Sequence, residues 1–182
     1  MGVEAKVGSQ YRTVDIPQSS VREAIGRVRY KYKPDDLNCE RELADVAGLV
    51  IYRSSKEFEE SDRCVEFAFE EEIEKWPRGN ITLHAWPLRR LEYCGYQPLF
   101  AQESPRPGDV VVYRRQADVG EQLIFLDLHI EPDELIAVHF GIYLGDGMVR
   151  SKFGPGAAFD HPLEVIPPGY GDSAIFVRKV IL

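Results

Sequence analysis

The run Ala137-Val138-His139-Phe140-Gly141-Ile142-Tyr143-Leu144 stops on Gly145-Asp146-Gly147 and is followed by Met148 to Phe153. Glycine supplies positive φ at no steric cost, so two strand-length runs on either side of a Gly-Asp-Gly turn form a β-hairpin. The hairpin commits this part of the chain to antiparallel sheet, and its register decides which side chains meet. With Leu144 and Met148 flanking a three-residue loop, His139 stands opposite Phe153 and has Ser151 as its same-face diagonal neighbour. The one imidazole of an otherwise apolar strand is thereby given a nearby hydroxyl.

Strands continue on both sides of the hairpin. Pro107-Gly108-Asp109 announces Val110 to Tyr113, Gln122 to His129 reads as a further strand, and Ala174 to Val180 as the last. Before Gly95 the apolar period is helical instead. Ser19-Ser20 leads into Val21, Ala24, Ile25 and Val28, and Lys33-Pro34-Asp35-Asp36 turns the chain. Asn38 then caps a helix whose apolar face is Cys39, Leu43, Val46, Ala47 and Val50, its last turn weakened by Gly48 and the β-branched Val50-Ile51-Tyr52 end. Ser61 or Asp62 opens another that holds Cys64 in its first turn and stops at Trp76-Pro77; Thr82 to Tyr93 gives a third, ended by Gly95. Helices first and antiparallel strands second predict an α+β domain with the helices packed on one side of the sheet. A chain of 182 residues holds one such domain, here 36–182, with an N-terminal extension over 1–35 and an insertion near 118–136.

Charge and composition exclude several classes. A net charge of −8 disfavours a nucleic-acid partner, because phosphate binding needs a basic face. No apolar run approaches the roughly 18 to 20 residues of a membrane span, and residues 1–30 lack a signal-peptide pattern, so the expected location is cytoplasmic. Three widely spaced cysteines make neither a disulfide framework nor a CxxC metal site and suit a reducing compartment. Glu70, Glu71, Glu72 and Glu74 read as a solvated helix face, and neither Gly145-Asp146-Gly147 nor Gly154-Pro155-Gly156 has phosphate-loop spacing, so no metal or cofactor is expected. Oligomeric state is not legible.

The chemistry-bearing residues are thiols and imidazoles. The histidines are His84, His129, His139 and His161. A thiol is the natural nucleophile for a histidine base at neutral pH, and a helix N-terminus favours its thiolate. Cys39 and Cys64 both stand at predicted helix starts, whereas Cys94, before Gly95, stands at a helix end and reads as structural. Ser151 or His161 is placed to orient the His139 ring as a third member.

The stretches "SPRPGDVVVYRR" and "AVHFGIYLGDGMVRSKFG" resemble the NlpC-type papain-like cysteine peptidases and amidases, and the resemblance covers roughly residues 60 to 182. In that family a cysteine opens a helix, a Pro-Gly-Asp turn leads into the first strand of the sheet, and a histidine begins a strand of pattern His-x-Gly-Ile-Tyr-x-Gly. The resemblance implies a papain-like α+β fold and a cysteine hydrolase that cleaves an amide or isopeptide bond of a peptide or small amide substrate. On it Cys64 is the expected nucleophile: Cys64-Val65-Glu66-Phe67 has the apolar and aromatic followers of the family, and its interval to Pro107-Gly108-Asp109 is the shorter one. Cys39 is the alternative, and Asn38-Cys39 matches the family's Asp/Asn-Cys dipeptide more closely. His139 is the implied base, with Ser151 or His161 orienting it. Neither cysteine is followed by the family's Ser-Gly pair, which keeps a second expectation in place: a papain-like scaffold used as a binding module.

Overall fold

The computed structural model describes residues 10–31, 37–47, 49–52, 68–69, 91, 95–116, 135–153 and 157–180. Strand β1 is Thr13–Asp15, followed by helices α1 (Ser20–Lys31) and α2 (Leu37–Ala47). Strands β2 (Val50–Tyr52), β3 (Tyr96–Pro98), β4 (Val110–Gln116), β5 (Leu135–Gly145), β6 (Met148–Lys152), β7 (Ala158–Pro162) and β8 (Ser173–Lys179) complete the elements, with a 3-10 turn at Pro168–Tyr170 before β8. The architecture is α+β. Eight strands form one sheet in the order β1-β8-β4-β5-β6-β7-β2, with β3 also on β8, and every pairing is antiparallel.

The hairpin has the expected register, reached by a different turn. Gly141 pairs with Ser151 and Tyr143 with Val149, but Gly145 pairs with Met148, and a bulge between Tyr143 and Gly145 absorbs the extra residue. The turn is thus two residues long, and both adopt positive φ, Asp146 at 50° and Gly147 at 76°. That geometry follows the right-handed twist of the flanking strands. Gly141 is dictated by close approach: a Cβ there would lie 2.6 Å from Val149 Cγ1 and 3.0 Å from the Arg150 carbonyl oxygen.

Alternation along the strands divides the core in two. Val111, Tyr113, Val149, Phe159, Ala174 and Phe176 meet Ile25 and Val28 of α1 and Cys39 and Leu43 of α2 on one face. Val110, Val112, Phe140, Ile175 and Val177 meet Phe69 and Leu91 on the other. The two described helices therefore cover one face, as expected, and Phe69 and Leu91 reach the other. Strands β1 and β2 come from the N-terminal half, so the sheet is not confined to the C-terminal part. Val50-Ile51-Tyr52, expected as a fraying helix end, pairs with β7, in keeping with its β-branched content.

Residues 13–31 belong to the domain instead of extending from it. β1 pairs with Ser173 to Ile175, and Ile16, Ile25 and Val28 are core residues. Arg22, on the inner side of α1, is fully buried. Its guanidinium donates to the carbonyls of Ile16, Pro17, Ile166, Pro167, Pro168 and Gly171 at 2.7 to 3.4 Å. A buried cation is tolerable here because its donors are met by backbone oxygens and the charge of Asp172 favours it. The expected strand at Gln122 to His129 and most of the 118–136 insertion lie outside the described residues. The helices expected around Cys64 and over Thr82 to Tyr93 do so as well, apart from residues 68–69 and 91.

Candidate active site

The site is built where β5, β6 and β7 run side by side. On β5 the pairing with β4 slips between Tyr113 and Arg114: Tyr113 faces His139 while Arg114 faces Ala137, so Val138 is the extra, bulged residue. The bulge reverses the alternation next to His139, a common way to re-aim a side chain. His139 thus shares the Tyr113 face, and Ala137 and Phe140 share the opposite one.

A hydrogen-bonded chain links three strands. His139 Nε2 lies 2.9 Å from Ser151 Oγ, Ser151 Oγ lies 2.8 Å from His161 Nε2, and His161 Nδ1 lies 2.8 Å from the Pro162 carbonyl oxygen. All three side chains are buried, His139 being 1% exposed. Burial pulls the His161 pKa down to about 4, against the Pro162 carbonyl and Asp160, which raise it. Burial also holds His139 well below the usual histidine range, with His161 and Arg29 adding to the effect. Both rings are therefore neutral at pH 7.

Neutrality and one fixed acceptor assign every proton. A carbonyl only accepts, so His161 carries its hydrogen on Nδ1 and its Nε2 is an acceptor. The Ser151 hydroxyl must then donate to His161, which leaves its oxygen to accept from His139 Nε2–H. His139 Nδ1 is consequently an unprotonated lone pair, and it is buried with no hydrogen-bond partner among the described residues. An orphaned basic nitrogen in a structure that satisfies its neighbours invites a functional explanation. Ser151, one of the two residues expected to orient the ring, bonds His139 directly, and His161, the other, bonds Ser151 behind it.

Aromatic rings enclose the imidazole. Tyr170 lies 4.3 Å from the His139 ring centroid, Tyr113 5.4 Å and Phe153 6.0 Å. Arg29 covers the Tyr170 ring at 4.7 Å, so Tyr170 touches a guanidinium as well as an imidazole. The 3-10 turn that carries Tyr170 is the segment whose carbonyls Arg22 holds. Arg22, Arg29 and Tyr170 were not singled out from the sequence. The signals for them were an arginine in helical phase with Ile25, and an aromatic on the stiff Pro167-Pro168-Gly169 turn.

Of the two candidate nucleophiles, Cys64 lies outside the described residues. The nearest described ones, Ala68 and Phe69, belong to the core opposite His139; Phe69 lies edge-on to Tyr96 at 4.9 Å and to Phe140 at 5.5 Å. Cys39 is the third residue of α2, buried in the same cluster as Tyr113 and Phe153. It lines a small pocket, about 20 Å³ of water-accessible space, with Arg29, Glu40, Leu43, Phe153, Ala157 and Phe159. Phe153 connects this pocket to the polar chain, its ring 6.0 Å from His139 and 5.0 Å from His161.

The Pro-Gly-Asp turn is structural. Asp109 takes a two-pronged ion pair from Arg178 at 2.7 and 2.8 Å and caps Arg106 N–H, while Gly108 N–H donates to the Tyr143 carbonyl and Tyr143 N–H to the Asp109 carbonyl. It seats the start of β4 against the end of β5. No group of His, Cys, Asp and Glu that could hold a metal occurs among the described residues, and no described helix is long and apolar enough to cross a membrane. The Glu70 to Glu74 run lies outside the described residues. No family model matches the chain, nor does any curated protein or solved structure.

Proposed function

We propose that this chain is a cysteine hydrolase of the papain-like NlpC kind, with Cys39 as nucleophile and His139 as base. The observation that carries the reading is the buried, unprotonated Nδ1 of His139, on the sheet face that α2 and Cys39 cover. The Cys39 S–H proton passes to His139 Nδ1, and the thiolate sulfur attacks the carbonyl carbon of an amide or isopeptide bond. Backbone N–H groups at the start of α2 stabilise the oxyanion. The C–N bond then breaks as the imidazolium returns its proton to the leaving amine. Water, deprotonated by His139, hydrolyses the thioester and restores the thiol. Ser151 and His161 keep Nε2 protonated throughout, which leaves Nδ1 as the nitrogen that takes the thiol proton. The substrate is a peptide or small amide, and the cytoplasm is the proposed location.

A second reading, a papain-like scaffold that binds without turnover, is favoured by the closure of the site: His139 is 1% exposed and walled by three aromatic rings. Iodoacetamide labelling read by peptide mass spectrometry separates the two. Hydrolase chemistry requires selective alkylation of Cys39 well below about pH 8, lost in His139→Ala, with Cys64→Ala unaffected. Slow and equal labelling of all three thiols would establish the scaffold, and selective labelling of Cys64 would return the nucleophile to that position.

A further inference from the structure

Three arginines have well-matched partners. Arg22 meets six carbonyls, Arg150 is held in a two-pronged ion pair by Asp160 at 2.6 and 2.8 Å, and Arg178 is held likewise by Asp109. Arg114 is different. It is only 8% exposed, yet its Nε is buried without a partner, and no ion pair or side-chain hydrogen bond of its guanidinium occurs among the described residues. Burial alone pulls its pKa down to about 10, with no acid opposing the shift. A guanidinium stays charged at that value, so a cation whose Nε is cut off from water stands with no acid beside it among the described residues, whereas Arg22, Arg150 and Arg178 have partners.

Its surroundings specify what would compensate it. Alternation along β4 puts Arg114 on the face of Val110 and Val112, away from His139. Its cross-strand partners are Ala137 on β5 and Ser173 on β8, and Ser173 is also buried at 8%. Beyond Ser173 on that face come Ile175 and Val177, so the cation stands at the end of an apolar floor with one hydroxyl beside it. Low polarity strengthens a charge pair, and the planar guanidinium fork matches two oxygens of one anion.

We propose that Arg114, with Ser173 beside it, is a binding site for a small oxyanion, the chemistry that carboxylate and phosphate share. The site lies on the opposite face of the sheet from the Cys39 and His139 centre and does not depend on that centre being catalytic. A carboxylate from within the chain, among them Asp118, Glu121 and Asp127, is the competing occupant.

The test uses the full chain and two probes, sodium phosphate and sodium acetate, each titrated at ionic strength held constant with sodium chloride. One or both should raise the melting temperature saturably, by about 5 °C for millimolar affinity at fifty-fold excess, and shift the Arg114 ¹⁵Nε–¹Hε resonance with the same midpoint. Arg114→Gln should abolish the saturable rise, and Ser173→Ala should weaken the midpoint severalfold. Which probe acts decides between phosphate and carboxylate. Absence of a saturable effect in the wild type would overturn the proposal without recourse to any variant. An Arg114 Nε–H already hydrogen-bonded in anion-free buffer and unresponsive to both probes would also overturn it, assigning the partner to the chain itself.

Discussion

Ser151→Ala removes one oxygen and breaks two buried contacts, His139 Nε2 to Ser151 Oγ at 2.9 Å and Ser151 Oγ to His161 Nε2 at 2.8 Å. The alanine methyl leaves a donor on His139 and an acceptor on His161 without partners, on rings that are 1% and 0% exposed. Each buried group left unmet costs roughly 1 to 3 kcal/mol, so the variant should lose about 3 to 4 kcal/mol of stability. A domain of this size retains a folded majority after such a loss, given a typical total of roughly 5 to 15 kcal/mol. Urea unfolding at pH 7, where both rings are neutral, measures the change, with an unaltered m-value marking a true stability effect. Imidazole ¹⁵N spectra test the proton assignment itself: wild type should show His139 protonated on Nε2 and His161 on Nδ1. The variant should keep the His161 tautomer, which Pro162 fixes, and release His139 into a mixture. A loss below about 0.5 kcal/mol together with unchanged tautomers would refute the reasoning, since the hydroxyl would then not be what joins the two rings.

Acid should destabilise the protein through the same rings. The folded His161 pKa is about 4 against an unfolded value near 6.5, so the unfolded chain binds the proton first. Stability is then full above pH 6.5 and falls toward pH 4, by about 2 kcal/mol at pH 5 from His161 alone, with His139 acting in the same direction. Urea midpoints at pH 7 and pH 5 check this, and a flat profile would mean that the rings are hydrated. Arg22→Met should cost at least ~3 kcal/mol by leaving buried carbonyls unmet, and near-UV circular dichroism should report loosening of the Tyr170 turn. An Arg22→Met variant as stable as wild type would show that the carbonyl cage is incidental.

What can be read without coordinates is local. The Gly145-Asp146-Gly147 turn and the polar-apolar alternation determine which residues of β5 and β6 oppose each other, and they place Ser151 beside His139. The three-residue loop and the two-residue turn with a bulge lead to the same pairing, so the difference in the turn is harmless. The start of α1 follows apolar spacing and its cap, Ser19 Oγ accepting from Arg22 N–H as a capping serine does, whereas α2 begins at Leu37, which puts the expected cap Asn38 inside the helix, and Val46 of its expected apolar face is exposed. Non-local pairings are invisible. Three-residue strands such as β1, β2 and β3 carry too little pattern to be recognised, and they matter only because distant strands offer them an edge. The choice of thiol turns on the same kind of information. Both cysteines stand at predicted helix starts; the place of Cys39 on the His139 face is a property of topology, and Cys64 lies outside the described residues. Arg22 is hidden because an arginine in apolar phase is ordinarily a solvated residue whose stem packs.

Strand β8, last of the described strands, pairs with β1, β3 and β4 together, the first two lying end to end along one of its edges. Arg22 likewise closes on Gly171 across 149 residues. Among the described strands β1 and β3 pair with β8 alone, so on the ribosome the domain should stay unsettled until β8 has been made. It should then consolidate slowly, as chains dominated by distant pairings do.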